Sequence, residues 1–177
     1  MPGSVNRNCR LKLLMCSYSA FSVGAALPIG LKGVEMASRQ EINAAIKSNV
    51  LSKLRNQGFS GSFPHLRRIG DEVVDLVTFQ FDRHGGALTI EIAKCSLSGI
   101  DGPLGHTPAK NATAHHRHPI YRKRLGDHSR SPGGSDNWFS YADRGAASVA
   151  GAILTRLLDD SIWNDVSPDG SETPYRK

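Results

Sequence analysis

This chain is poor in the features that announce a chemistry. Its 177 residues hold three cysteines, Cys9, Cys16 and Cys95, with no C-x-x-C pair among them. That spacing excludes a disulfide framework and a compact cysteine-based metal site, and it favours a reducing compartment, with the cytoplasm as the expected location. Neither G-x-G-x-x-G nor G-x-x-x-x-G-K-[S/T] occurs, which removes the two simplest nucleotide-phosphate cradles, and the helix-borne zinc motif H-E-x-x-H is missing as well. No run reaches the roughly 18 apolar residues that a membrane-spanning helix needs, so no membrane partner is expected.

Charge says less than its total suggests. The formal value is +6, but residues 1–35 carry half of it through Arg7, Arg10, Lys12 and Lys32 against Glu35. The remaining chain is only mildly basic, a balance that suits an acidic partner at long range and equally an ordinary solvated surface. Nucleic-acid binding therefore ranks below the plain reading. Basic residues ahead of a broken apolar, alanine-rich stretch give the first 35 residues a loose likeness to a secretory leader. We read them first as a disordered or non-native extension, with Met36 as an alternative start and secretion as the minority reading. Residues 36–163 are expected to form a single α+β domain and residues 164–177 a flexible tail.

The first strong structural signal is SRQE. Ser38 can accept from the amide of Glu41 while the Glu41 side chain reaches back to the Ser38 amide, a reciprocal capping box. Ile42, Ile46, Val50 and Leu54 then recur every four residues, which predicts a helix from about Arg39 to Gln57 with one buried stripe, ended by a left-handed Gly58. A short strand is expected around His65 to Ile69, with Pro64 at its first position or an edge and His65 on the surface or locally satisfied, a catalytic role being the sharper alternative. In VVDLVTFQF, Val73, Val77, Phe79 and Phe81 share one side while Val74, Leu76 and Thr78 line the other. ALTIEIAK places Leu88, Ile90 and Ile92 opposite Thr89 and Glu91. The expected architecture is an antiparallel meander sheet packed against an N-terminal and a C-terminal helix. Asp75 and Glu91 are read as solvent-facing strand residues, with a functional carboxylate pair as the sharper alternative.

Beyond Lys94 the chain is rich in glycine, proline, serine and histidine as far as Ser135. PIYRKRLGD can extend as a short strand through Ile120, Tyr121 and Leu125, and NWFSY as an aromatic strand or packed loop. A second helix is expected from about Arg144 to Ser161, with Asp143 as its N-cap and Ala146, Val149, Ala150, Ile153 and Leu157 on its apolar face. From Val166 the chain reads as tail.

Three kinds of site can be drawn from these residues. His115, His116 and His118 in HHRHP invite a metal shell completed by His106, Asp127 or His128, but their spacing enforces no convergence, and neither a metal nor another cofactor is expected. As proton-transfer groups the same histidines, backed by Arg122 and Arg124, would suit a small phosphoester-directed hydrolase. In a strand, Arg122 and Arg124 share one side and can clamp a phosphate or carboxylate, with Tyr121, Trp138 and Phe139 as aromatic support. The third arrangement leads: a non-catalytic domain recognising an acidic protein or small anionic ligand. Single-stranded nucleic acid is a further alternative through Tyr121 and Trp138. The Asn111 to Thr113 sequon is read as accidental, and the oligomeric state is left open.

The order of LRNQGF, VTFQF, LTIEIA, YRKRLGD and DNWFSY resembles the family called domain of unknown function 4304 over approximately Arg39 to Leu158. The positions that carry the likeness are Gly58, Phe59, Phe79, Gln80, Arg122, Arg124, Gly126, Asp136, Trp138 and Phe139, the last standing where tryptophan is common. The resemblance implies a compact α+β unit and no settled catalytic mechanism. The stretch from His106 to His118 and the short C-terminal end depart from the pattern.

Overall fold

The computed structural model describes residues 36–102, 105–130 and 137–168. The N-terminal extension, the SPGGSD interruption with Asp136, and residues 169–177 lie outside the described residues.

The capping box forms as expected: the Glu41 amide donates to Ser38 Oγ at 3.2 Å and the Ser38 amide donates to Glu41 Oε2 at 2.7 Å. Helix α1 (Arg39–Ala45) runs into a π-helical segment (Ile46–Leu51) and then α2 (Ser52–Asn56). The wide central turn follows from the apolar spacing. In an α-helix each four-residue step overshoots one turn by about 40°, so four apolar residues at that spacing would spiral off one face. A turn bonded i to i+5 takes up part of that drift, and Ile42, Ile46, Val50 and Leu54 are all fully buried. The helix ends in a Schellman motif: Gly58 has φ +87°, its amide donates to the Arg55 carbonyl, and the Phe59 amide donates to the Leu54 carbonyl.

Strands β1 (His65–Ile69), β2 (Val73–Phe81) and β3 (Ala87–Ser96) form the expected antiparallel meander. Pro64 stands just before β1, where it needs no amide, and its carbonyl accepts from the Phe79 amide at 3.0 Å. A small hairpin follows, β4 (Ile100–Gly102) with β5 (Gly105–Thr107), and then three 3-10 turns at Ala109–Asn111, Ala114–His116 and Pro119–Tyr121. The chain rejoins the sheet at β6 (Lys123–Leu125), β7 (His128–Ser129) and β8 (Asn137–Ser140). Both β6 and β8 pair with the far side of β3, β6 against Ile90 to Ile92 and β8 against Ala87 and Leu88. Ile120 and Tyr121, expected in the YRKRLGD strand, belong to the last 3-10 turn instead.

One face of the sheet carries Val77, Phe79, Leu88, Ile90, Ile92, Leu125 and Phe139 into a common core with the N-terminal helix and α3 (Ala146–Leu157). Asp143 is not the N-cap of α3. That position is Gly145, and Asp143 accepts from Ser140 Oγ at 2.9 Å in the turn before it. The C-terminal core also extends further than the sequence suggests. Helix α4 (Ser161–Asn164) brings Ile162 and Trp163 into the core, and Val166, expected in the tail, is buried with them.

The opposite face is not the solvated one that strand alternation suggests. Val74, Leu76, Ala93 and Cys95 lie under Ile100, Ala109, Ala112 and Ala114 in a second apolar cluster. The segment between β3 and β6 is thus a cover, and its alanines let the turns lie flat on the strands.

Candidate functional site

Strand register builds a polar row on the covered face. His65 stands opposite Thr78, Thr78 opposite Glu91, and Glu91 opposite Arg124, so four strands present these side chains side by side. Arg122, two residues before Arg124, shares its side, as the sequence predicts. Glu91 is buried to within 1% of full enclosure, which corrects its expected solvent-facing role. Its carboxylate is shared three ways: Arg122 Nη1 approaches Oε2 at 2.5 Å, Arg124 Nε approaches Oε1 at 3.0 Å, and His115 Nε2 lies 3.1 Å from Oε2. Burial pushes this carboxyl up, but the His115 hydrogen bond, the Arg122 charge and the Arg124 hydrogen bond outweigh it and hold the group at about 2. A carboxylate so fixed stays ionised near neutral pH and serves as an anchor.

His115 reaches Glu91 from the Ala114–His116 turn, and its ring stands edge-on to His65 with centroids 5.6 Å apart. His65 is locally satisfied, as expected, by Thr78 Oγ1 at 3.1 Å from Nδ1. Burial lowers the His65 imidazole, and the charges of His115, His116 and Arg67 lower it further. The other two candidate histidines hold backbone turns. His116 Nδ1 accepts the Thr113 amide at 3.0 Å and His118 Nδ1 accepts the Ile120 amide at 3.4 Å. His106 pairs with Asp101 in the β4–β5 hairpin and His128 with Asp127. Among the described residues, no three His, Cys, Asp or Glu side chains converge as a metal shell.

The proposed carboxylate pair does not exist. Asp75 lies on the helix side of β2, opposite Arg68, whose Nη2 is 2.7 Å from Oδ2. The aromatic support is also divided. Trp138 and Phe139 are neighbours in β8 and therefore point to opposite faces, Phe139 into the helix-side core and Trp138 beneath the Arg130 guanidinium at 4.8 Å. Tyr121 lies under Arg117, with 5.1 Å from the guanidinium carbon to the ring centre. Both rings are thus engaged by arginines, and neither stands as an open platform for bases.

Sequence reading missed Arg67 and Arg117. Arg67 stands opposite Leu76 on the covered face, and Arg117 directly follows the Ala114–His116 turn. Nε of Arg67, Nε and Nη2 of Arg117, and Nε of Arg122 are buried without a hydrogen-bond partner. Both Arg117 and Arg67 act on the buried Cys95 thiol, which burial pushes up and these two charges pull back. By contrast, the surface groove lined by Asp127, His128, Ser140, Asp143 and Arg144 is internally paired, with Asp127 accepting from both His128 and Arg144.

No helix among the described residues is long and apolar enough to cross a membrane. Comparison with curated proteins and with solved structures gives no match. A family model, Domain of unknown function (DUF4304), matches residues 50–164. That span contains the polar row, both apolar faces of the sheet and the turns that cover one of them, and the chain belongs to the DUF4304 family.

Proposed function

We propose that this domain binds a small anionic ligand on the covered face of its sheet and performs no chemistry on it. The observation that carries the reading is the set of buried guanidinium donors without partners on Arg67, Arg117 and Arg122, on a face where Glu91 is the carboxylate already engaged. Leaving a charged donor buried and unpaired costs more than leaving a neutral one, so an incoming oxyanion would offset an existing penalty. Because these donors are enclosed, a small ligand suits them better than the surface of an acidic protein. The cytoplasm remains the proposed location, in keeping with the free, buried Cys95. We expect calorimetry at constant ionic strength, across inorganic phosphate, pyrophosphate, citrate and a glutamate-rich peptide, to show saturable binding of a small anion and none of the peptide. Binding of the peptide alone, or of nothing, would contradict this reading.

A hydrolase is the second reading, and one contact favours it. Glu91 holds the Nε2 side of His115, whose side chain is 43% exposed, so Nδ1 can face a substrate as a proton acceptor. His116 and His118 are bound into turns, which narrows the earlier three candidates to one. Any turnover of p-nitrophenyl phosphate should then fall at least about a hundredfold in His115→Gln, the usual scale of a general-base contribution. Equal turnover in that variant would remove His115 as the base.

A further inference from the structure

We infer that Arg117 and Arg67 together form a binding site for a single phosphate group, beside Cys95 and beneath the 3-10 turns, separate from the Glu91 cluster. The inference rests on the anion-binding reading and assigns it a place and a chemical class.

The geometry of the guanidinium supplies the first argument. Nε and Nη2 lie along the same edge of the guanidinium plane, the edge that grips two oxygens of one oxyanion in parallel. In Arg117 both of these donors are buried and neither has a partner. The Arg117 guanidinium carbon lies over the Tyr121 ring, 5.1 Å from its centre, a contact that helps hold the side chain in place.

Neighbouring groups supply the second. Arg67 brings another buried, unpartnered Nε from β1, where it stands opposite Leu76, and Arg117 directly follows the turn whose Ala114 packs into the same cluster as Leu76. The surrounding surface is apolar and small, with Leu76, Ala93 and Cys95 on the strand side and Ala109, Ala112 and Ala114 on the turn side. Fixed charges in such surroundings act more strongly than they would in water.

The two buried carboxylates of the central strands are both committed elsewhere. Glu91 is shared by Arg122, Arg124 and His115, and Asp75 pairs with Arg68 on the other face of the sheet.

Counting oxygens selects the ligand. A carboxylate offers two, and the Arg117 edge would use both. A phosphate group retains at least one more oxygen for Arg67, and its second negative charge matches the second guanidinium. Free phosphate and a small phosphomonoester share this chemistry.

The test is calorimetry on the intact chain at fixed ionic strength, with inorganic phosphate, methyl phosphate and acetate as titrants. Wild type should bind at least one of the two phosphates saturably, with acetate at least about tenfold weaker, and the tighter phosphate identifies the source. Arg117→Gln should weaken phosphate binding at least about tenfold. Arg117→Lys, which keeps the charge but loses the two-donor edge, should also lose about tenfold. Arg156→Gln, at an exposed position of α3, should stay within about threefold of wild type. If Arg117→Gln disturbs folding, Arg117→Lys carries the comparison. Phosphate binding unchanged in the Arg117 variants would overturn this site while leaving the anion-binding reading intact. Acetate binding as tightly as phosphate would overturn the choice of ligand, and a wild-type chain that binds no small anion would overturn both readings together.

Discussion

Replacing Glu91 by glutamine is expected to lower the unfolding free energy by about 3–5 kcal/mol, the usual cost of removing one partner from a buried charge cluster. The side chain keeps its shape, so the loss is electrostatic: Arg122, Arg124 and His115 would face a neutral amide where a carboxylate accepts from all three. Urea unfolding followed by circular dichroism measures it through the midpoint at unchanged slope. A change below about 1 kcal/mol, the range of solvated surface pairs, would mean that these cations are hydrated and that Glu91 does not organise the face.

The same carboxyl sets the acid limb of stability. Its folded value of about 2 lies below its ordinary 4.5, so the stability it contributes is complete above 4.5 and is lost as pH falls toward 2. His65 acts with the same sign over a higher range. Its imidazole is held below 6.5, first by burial, so protonation favours the unfolded chain as pH drops from that value. Wild type should therefore lose stability progressively on acidification, while Glu91→Gln should show a flatter limb below 4.5.

Gly126→Ala is the second large effect, with an expected loss of about 3 kcal/mol, the upper end of the usual overpacking range. A methyl group built on Gly126 would lie 2.2 Å from the Trp138 nitrogen and 2.5 Å from the Asn137 carbonyl carbon. Those are backbone atoms of β8 and have no rotamer to yield, so β6 and β8 must separate. Separation would strain Asp127 N–H to the Trp138 carbonyl at 3.2 Å, Thr89 Oγ1 to the Leu125 carbonyl at 3.3 Å and Asn137 Nδ2 to the Arg124 carbonyl at 3.3 Å. Because Arg124 belongs to β6, the disturbance reaches Glu91. Urea midpoints again provide the measurement, and a variant as stable as wild type would contradict the close approach.

Periodicity carries much of the helix-side architecture. Four-residue spacing from Ile42 to Leu54, the Ser38 and Glu41 pair, and the two-residue alternation in β2 and β3 each report a local rule that the fold obeys. Alternation assigns side chains to faces, but it carries no information about what covers a face. Glu91 is placed correctly opposite Ile90 and Ile92, yet its burial depends on turns some twenty residues away in the chain, where Ala109, Ala112 and Ala114 are the only compositional hint. The crowding of HHRHP draws attention to three histidines, while the groups that matter most to the proposed site are Arg117 among them and Arg67 on β1. Alternation from His65 could have placed Arg67 on that face; Arg117 carries no comparable signal, because an irregular turn has no period from which to read direction. Asp143 has the residue type of a cap but stands three residues before the helix begins, and its carboxylate accepts from Ser140 in the preceding turn.

Whether Glu91 anchors the covered face is read most directly from the carbon-13 shift of its side-chain carboxyl, followed as pH is lowered while the chain remains folded. The carboxyl should stay ionised through 4.5 and protonate only on approach to about 2. Protonation of the folded protein with a midpoint at or above 4.5 would contradict a carboxylate held between two guanidiniums and an imidazole.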